Sequence, residues 1–470
     1  MFVGREEELA VLEGLYERDE FQMVVVYGRR RVGKTALLEK FAQDRRVLFF
    51  TAREQSSAGN LRDFSDKIAE FYGLPQDMPS FASWGQAFSF VASRESENRE
   101  PMTLVFDEFP YAAATERSLP STLQVAIDHE LLGANMLMVL CGSNEGFMES
   151  EVLGRKSPLY GRRNAQIRLQ PFDYLDAALI LPGVEPEQLV VYYATFGGTP
   201  YYLKQIDTGQ TYEQNVERLL FSMFGLLYEE PLILLRQELR EPALYNSVLD
   251  AIGSGRTKPK QIAERAGVEQ QSIAKYLKTL ENLGLVERIV PFGDNAARSR
   301  KGIYRLRDPF FAYWYRFVAP NVGAVESGAG RAAARGTAFG EALSTYVGMQ
   351  FETVCLQWLV RQNRKGELPF LATSFGKWWG TDPSVREETD IDVVAAGKTT
   401  REMAVGECKW RNSFDETEAI AQLDHRASLL QGCTDPWLFL FSKKPASEAT
   451  KAKAKARSDL KLVSVDGMFD

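Results

Sequence analysis

At 470 residues, the chain has room for about three domains of ~150 residues, each with its own buried core. With 45% apolar and 25% charged residues, 36 glycines and 20 prolines, it has ordinary globular composition, which excludes a collagenous, coiled-coil or wholly disordered chain. A formal charge of −7 excludes a polycation that coats nucleic acid indiscriminately, so any such contact is local.

The first segment alternates strand-like and helical patterns. Residues 21–27, 47–51, 102–106, 136–141 and 167–169 are short runs rich in β-branched and aromatic side chains. Near-continuous apolar strands separated by helices predict βαβ units and a parallel sheet with helices on both faces. We read residues 1–170 as that α/β domain. Residues 171–240 carry helical patterns broken at Gly197-Gly198-Thr199-Pro200 and predict a helical lid. Residues 241–318 give three helical segments and then two strand-like runs, the order of a winged helix-turn-helix. Residues 319–337 are Gly- and Ala-rich without an apolar stripe and predict a hinge or linker. Residues 338–470 predict a last α/β domain, with a long helix at about 338–363, strands near 388–396 and 402–410, a helix near 415–431 and a strand at 436–441.

Cys141, Cys355, Cys408 and Cys433 form no CxxC pair, so neither a zinc site nor a disulfide framework is legible. A reducing cytoplasm is the expected location. Met1 leads directly into Phe2-Val3-Gly4-Arg5-Glu6 without a leader pattern, and no run approaches the ~18 apolar residues of a membrane helix. No membrane partner is expected. His129 and His425, the only histidines, fall in different domains and give neither a triad nor a zinc set.

Gly28-Arg29-Arg30-Arg31-Val32-Gly33-Lys34-Thr35 is GxxxxGKT between an apolar strand and a helix that begins near Ala36. Its glycines let backbone N–H groups fold into an anion nest at a helix N-terminus. Lys34 reaches the β/γ-phosphates and the Thr35 hydroxyl is positioned to ligate Mg²⁺. Arg29, Arg31, Val32 and Ala36 complete the nucleotide-contacting stretch. Asp107 and Glu108 end an apolar strand, where open α/β sheets bind ligands: Asp107 for Mg²⁺, Glu108 for the attacking water. The strand at 47–51, between loop and carboxylates in sequence, leaves room for the extra strand of the glutamate-using NTPases. Ser143, in Cys141-Gly142-Ser143-Asn144, points to the γ-phosphate or the water, with a plain strand-ending turn as the alternative. Arg162 and Arg163 are candidates to stabilise charge in phosphoryl transfer, or are simply surface arginines.

FVGREEEL at 2–9, YGRRRVGKT at 27–35, LVFDEFPY at 104–111, CGSN at 141–144, SPLYGRR at 157–163 and GGTP at 197–200 together resemble the archaeal-type ATPase family, among the signal-transduction ATPases with numerous domains and related to AAA+ proteins. The resemblance covers roughly residues 1–240. It implies that Val3, Gly4 and Arg5 lie beside the adenine of ATP and that Pro200, on the lid, packs near the base. DPFFAYWYRFVAPN at 308–321 and the C-terminal third resemble the domain of unknown function numbered 234.

Residues 241–318 hold 13 Lys/Arg against 8 Asp/Glu, a basic module in an acidic chain and the electrostatic footprint of DNA binding. Gln270, Gln271, Ser272, Lys275 and Lys278 mark the recognition helix, with Arg298, Arg300 and Lys301 on the wing. A rigid protein-packing role is the alternative. The aromatic run Phe310–Tyr315 reads as core.

Asp392 and Glu407-Cys408-Lys409 form a second constellation. In a strand Glu407 and Lys409 face one way, and a hairpin around Gly397 brings Asp392 alongside. Two carboxylates make a hard-oxygen site for Mg²⁺ or Mn²⁺, with Lys409 orienting a hydroxide. The αβββαβ order of residues 338–442 resembles the PD-(D/E)xK, restriction-endonuclease-like superfamily. That resemblance implies Asp392, Glu407 and Lys409 as catalytic residues and Glu352 as the accessory acid. An inactive, structural site is the alternative.

Taken together, the residues imply a Mg²⁺-dependent ATPase that binds ATP and ADP and whose nucleotide state repositions the later domains on DNA, with phosphodiester cleavage left open. The alternatives are a non-cleaving, nucleotide-gated regulator and an assembly scaffold that forms homo-oligomers with ATP bound.

Overall fold

The computed structural model describes residues 2–75, 77–398 and 401–470. It divides into two compact bodies, Met1–Pro171 with Thr199–Tyr201, and Phe172–Gly198 with Tyr202–Asp470.

In the first body, β1 (Gln22–Tyr27), β2 (Val47–Thr51), β3 (Met102–Asp107), β4 (Met136–Gly142) and β5 (Ala165–Arg168) form one sheet in the order β2-β3-β4-β1-β5. Every neighbouring pair is parallel. β1, β3 and β4 are buried at every position, because helices cover both faces and leave no solvated side. Successive side chains point to opposite faces, so the apolar runs divide between two cores. Met23, Val25, Leu104, Phe106 and Met138 enter one; Val24, Val26, Val105, Leu137 and Val139 enter the other. The first core is closed by rings: Phe50 meets Phe106 at 4.9 Å and Phe64 stacks on Trp84 at 5.5 Å between centroids. The strand that separates β1 from β3 is β4, and β2 lies at the sheet edge. Strand order is a long-range property, and sequence spacing alone points to the wrong neighbour.

The second body begins with helices at Pro186–Phe196, Tyr212–Leu220 and Glu230–Glu238. Three more follow, Pro242–Gly253, Pro259–Ala266 and Ile273–Asn282, and then an antiparallel pair, β6 (Val286–Ile289) and β7 (Ile303–Leu306). The C-terminal sheet is mixed, in the order β12-β11-β10-β9-β8, with β8 (Ala372–Asp382), β9 (Glu387–Gly397), β10 (Glu402–Lys409), β11 (Asp435–Ser442) and β12 (Leu460–Ser464). Pairs β8/β9 and β9/β10 are antiparallel; β10/β11 and β11/β12 are parallel.

The aromatic run after β7 is the seam of this body. Phe310, Phe311 and Tyr313 have no exposed surface, and Trp314 and Tyr315 are buried. Phe310 meets Tyr202 at 4.4 Å, Trp314 Nε1 donates to the Tyr228 carbonyl at 2.7 Å, and Tyr346 OH donates to the Ala194 carbonyl at 3.0 Å. The helices of residues 171–240, apart from Thr199–Tyr201, therefore share one core with the long helix Gly340–Lys365.

Residues 319–337, expected to form a linker, are instead largely helical, with helices at Val322–Glu326 and Gly330–Thr337. Two causes account for the difference. Alanine is the best helix former, and a small-residue face permits close backbone approach: a Cβ on Gly330 would stand 2.1 Å from the Phe221 carbonyl oxygen. Arg335 and Arg331 then reach Glu217 at 2.8 and 3.8 Å.

Candidate functional site

The phosphate loop joins β1 to the helix Lys34–Ala42. Arg31 and Gly33 take positive φ angles of 71° and 97°, which turn the chain so that N–H groups face a common concavity. The helix is pinned by Leu37, Leu38 and Phe41 in the second core. Lys34 is 6% exposed, and its Nζ donates to the carbonyls of Gly28 at 2.7 Å and Arg29 at 3.2 Å. The lysine thus closes the loop on itself.

β3 lies two strands from β1 and delivers the carboxylates to the same sheet edge. Asp107 is buried; its Oδ2 accepts from the exposed Thr35 hydroxyl at 3.3 Å and its Oδ1 from the Glu108 backbone N–H at 3.0 Å. A threonine hydroxyl beside an aspartate carboxylate is a hard-oxygen pair that suits Mg²⁺. Glu108 adopts a left-handed conformation, φ 50°, uncommon for a side chain with Cβ. Its carboxylate accepts from Ser143 Oγ at 2.9 Å and Ser143 N–H at 3.3 Å. Thr35, Asp107, Glu108 and Ser143 therefore form one hydrogen-bonded group, and Lys34 precedes Thr35 at the start of the same helix.

Other expected residues have different partners. Arg5 donates to the Val32 carbonyl at 3.2 Å, the Gln170 carbonyl at 2.6 Å and Glu8 at 3.0 Å, so it clasps the loop's backbone; Gly4 before it is buried and Val3 half-buried. Arg162 is held bidentately by Asp128 at 2.8 and 2.7 Å and donates also to the Pro158 and Tyr160 carbonyls; these partners lie outside the Lys34–Glu108 group. Arg163 lies over the Tyr160 ring at 6.0 Å.

Sequence reasoning missed the closure of the loop from a distance. Thr199 Oγ1 accepts from buried Arg29 at 3.1 Å, the position of a Gly33 Cβ is 3.8 Å from Pro200, and Arg31 stacks on Tyr201 at 4.4 Å. The GGTP motif was the available signal, because it places a Thr-Pro after two glycines.

In the C-terminal sheet, β9 and β10 pair with Val393 opposite Gly406, which brings Asp392 beside Glu407 and Cys408. Asp392 Oδ2 accepts from the Cys408 N–H at 2.8 Å. Glu407 is 4% exposed and is bound on one oxygen by Lys409 Nζ at 2.5 Å and on the other by Arg426 at 2.9 Å. Lys377 Nζ, which sequence reasoning did not single out, meets Glu352 at 2.8 Å, Asp390 at 3.0 Å and Asp392 at 3.4 Å. Burial works against the charge of Lys377, but the carboxylates of Glu352, Asp392 and Asp390 outweigh it and hold the ammonium well above the ordinary lysine range. Burial first, then the charges of Glu352 and Glu407, push the Asp392 carboxyl up to about 7. Each of the carboxyl groups of Glu352, Asp390, Asp392 and Glu407 nevertheless has a lysine or arginine of the protein within 3.4 Å. Among the described residues no group of three or more His, Cys, Asp or Glu is disposed to hold a metal ion, so the expected Mg²⁺ or Mn²⁺ site does not fit the side chains as arranged.

Residues 2–206 match the family model of an ATPase domain predominantly from Archaea. Residues 314–420 match a domain of unknown function, numbered 234, from archaeal and bacterial proteins. The whole chain is 27% identical over 467 residues to the uncharacterized protein MJECL04 of Methanocaldococcus jannaschii, covering 99% of each chain. A further match, to the uncharacterized ATP-binding protein MJ0423 of the same organism, is 45% identical over 47 residues, 10% of this chain and 80% of that one. Among solved structures, the Walker-type ATPase PABY2304 of Pyrococcus abyssi aligns with a TM-score of 0.50 at 20% identity, covering 67% of this chain and 96% of that one; this is a likeness of fold. No helix among the described residues is long and apolar enough to cross a membrane.

Proposed function

We propose that the chain is a Mg²⁺-dependent ATPase whose nucleotide state controls binding of its basic three-helix, two-strand module to DNA. The observation that carries the ATPase part is the hydrogen-bonded group of Thr35, Asp107, Glu108 and Ser143 beside the buried Lys34 of the phosphate loop. Lys34 exchanges the Gly28 and Arg29 carbonyls for phosphate oxygens. Glu108, held by Ser143, takes a proton from the attacking water. Thr35 and Asp107 would hold the Mg²⁺, which supplies neutralisation of the phosphate charge. Arg29, Arg31, Val32, Gly33 and Ala36 frame the phosphates, with Val3, Gly4, Arg5 and Pro200 toward the base.

The DNA part rests on the module of residues 241–318, a winged helix in this reading. Gln270, Gln271, Lys275 and Lys278 are exposed, while Tyr276, Leu277 and Leu280 on the other face of Ile273–Asn282 are buried. Arg298, Arg300 and Lys301 are exposed on the β6–β7 loop. The chain around Thr199–Tyr201 supports coupling, because three residues beside the phosphate loop are covalently continuous on both sides with the body that carries this module. Cleavage of DNA is left out of the proposal, since Asp392 and Glu407 are already ion-paired.

The test is ATP binding and turnover in two variants. Lys34→Ala is expected to lose ATP affinity, whereas Glu108→Gln retains binding and loses turnover by about 10²–10⁴-fold, the range for removing a general base. Unchanged turnover in Glu108→Gln removes the role assigned to that carboxylate.

A further inference from the structure

Lys377 stands beside Asp392, one of the two carboxylates from which the C-terminal sequence pattern leads one to expect a metal site, and beside Glu352. An ammonium carries three N–H donors, and this one has three carboxylates within 3.4 Å, those of Glu352, Asp390 and Asp392. Its position is set by the backbone. β8 pairs Gly376 with Val394 and Trp378 with Ile391, so a register shift falls at Lys377; two residues of β9, Asp392 and Val393, face one of β8, the arrangement of a β-bulge that re-aims a side chain. The bulge is itself fixed from outside the sheet, because the Phe292 N–H donates to the Lys377 carbonyl at 2.8 Å, and Phe292 packs onto the sheet's core.

Access is open. A cavity of about 580 Å³, lined among others by Arg305, Arg316 and Trp379, reaches Glu352, Lys377 and Asp390. A small ion therefore meets an electrostatic obstacle and not a steric one.

We infer that Lys377 is the resident cation of this carboxylate cluster and that the C-terminal sheet, as folded, takes no divalent metal ion. A divalent ion in the cluster would face the ammonium at close range, and like charges repel there more strongly than in bulk water. Removing the lysine leaves Glu352, Asp390 and Asp392 as hard oxygen donors without their counter-ion, which is a composition that suits Mn²⁺ or Mg²⁺.

The experiment is Mn²⁺ titration of the full chain without nucleotide, followed by loss of the free-ion electron paramagnetic resonance signal, in wild type, Asp392→Asn, Lys377→Ala and Lys377→Ala/Asp392→Asn. Wild type and Asp392→Asn are expected to take up Mn²⁺ equally, so the cluster contributes nothing. Lys377→Ala is expected to gain a site at least ~100-fold tighter than any in wild type, abolished in the double variant. Lys377→Met, which keeps the apolar stem, stands in if the alanine variant does not fold. Asp392-dependent Mn²⁺ uptake by wild type overturns the inference. So does a folded Lys377→Ala or Lys377→Met that gains no site. Neither result touches ATP binding, which is read at the phosphate loop.

Discussion

Gly28 opens the phosphate loop with a φ of 151°, and a Cβ there would stand 2.4 Å from the backbone oxygen of Leu169. That oxygen belongs to a segment already tied to β1, since the Leu169 N–H donates to the Tyr27 carbonyl at 2.8 Å, so it has little freedom to retreat. Gly28→Ala is therefore expected to destabilise the N-terminal body by about 2–4 kcal/mol, in the range of backbone clashes and strain. Gly161→Ala is the control: its φ is 82° with nothing within 4 Å of the Cβ position, so only the left-handed penalty of about 1–2 kcal/mol applies. Equal urea midpoints for the two variants contradict this reading. The loop is legible in sequence because its function demands glycines and a lysine at fixed local spacing, and Asp107 and Glu108 are legible because an apolar strand announces them. The hydrogen bonds that connect Glu108 to Ser143 and Arg29 to Thr199 span 35 and 170 residues, and no local pattern encodes them.

Strand β8 is the element that sequence reasoning located least well. Its extra residue falls between Ala372 and Ser374, where the register shifts and the alternation that marks a strand is broken, while the bulge that aims Lys377 at Asp392 lies on β9 and is set by pairing, which no local pattern encodes. The Ala-rich helix Gly330–Thr337 was missed for a related reason: it packs through small residues, with Gly330 and Ala334 buried, and shows no apolar stripe. The far end of β8 is held by chemistry that responds to pH. Asp382 accepts from Ser384 N–H at 2.8 Å and Ser384 Oγ at 2.6 Å, and meets His425 Nε2, on the helix Glu416–Ala427, at 2.5 Å. These partners, Ser384 foremost and His425 next, hold the Asp382 carboxyl down at about 2, below the ~3.9 of a free aspartate. A carboxyl depressed in the folded state adds stability that is present above the unfolded value and is lost as pH falls through the folded one. Asp382→Asn should lower the urea midpoint at pH 7, and its gap from wild type should narrow between about pH 4 and pH 2. A gap of the same size at both ends argues against it.

On the scale of the molecule, charge is unevenly distributed: a chain of net −7 contains, between residues 241 and 318, 13 basic against 8 acidic side chains. If that module grips phosphates, Lys275→Ala/Lys278→Ala weakens DNA binding and lowers the steepness of its salt dependence by ~0.9 for each phosphate left without its lysine. Fluorescence anisotropy at several salt concentrations reads both. An unchanged slope assigns the module to protein packing. Near the C-terminus, by contrast, Arg457 is paired with Asp424 and Asp459, and Lys451 with Glu448. The division into two bodies was only partly legible, because the aromatic seam joins segments far apart in the chain. The return of Thr199–Tyr201 to the N-terminal body also sets an order of events at the ribosome. The last contiguous residue of that body is Pro171 and its final one is Tyr201, so at 5–20 residues per second roughly 1.5–6 s pass between them. During that interval the nascent domain has its sheet but not the threonine that receives Arg29, and a fragment released at residue 171 would remain in that unfinished state.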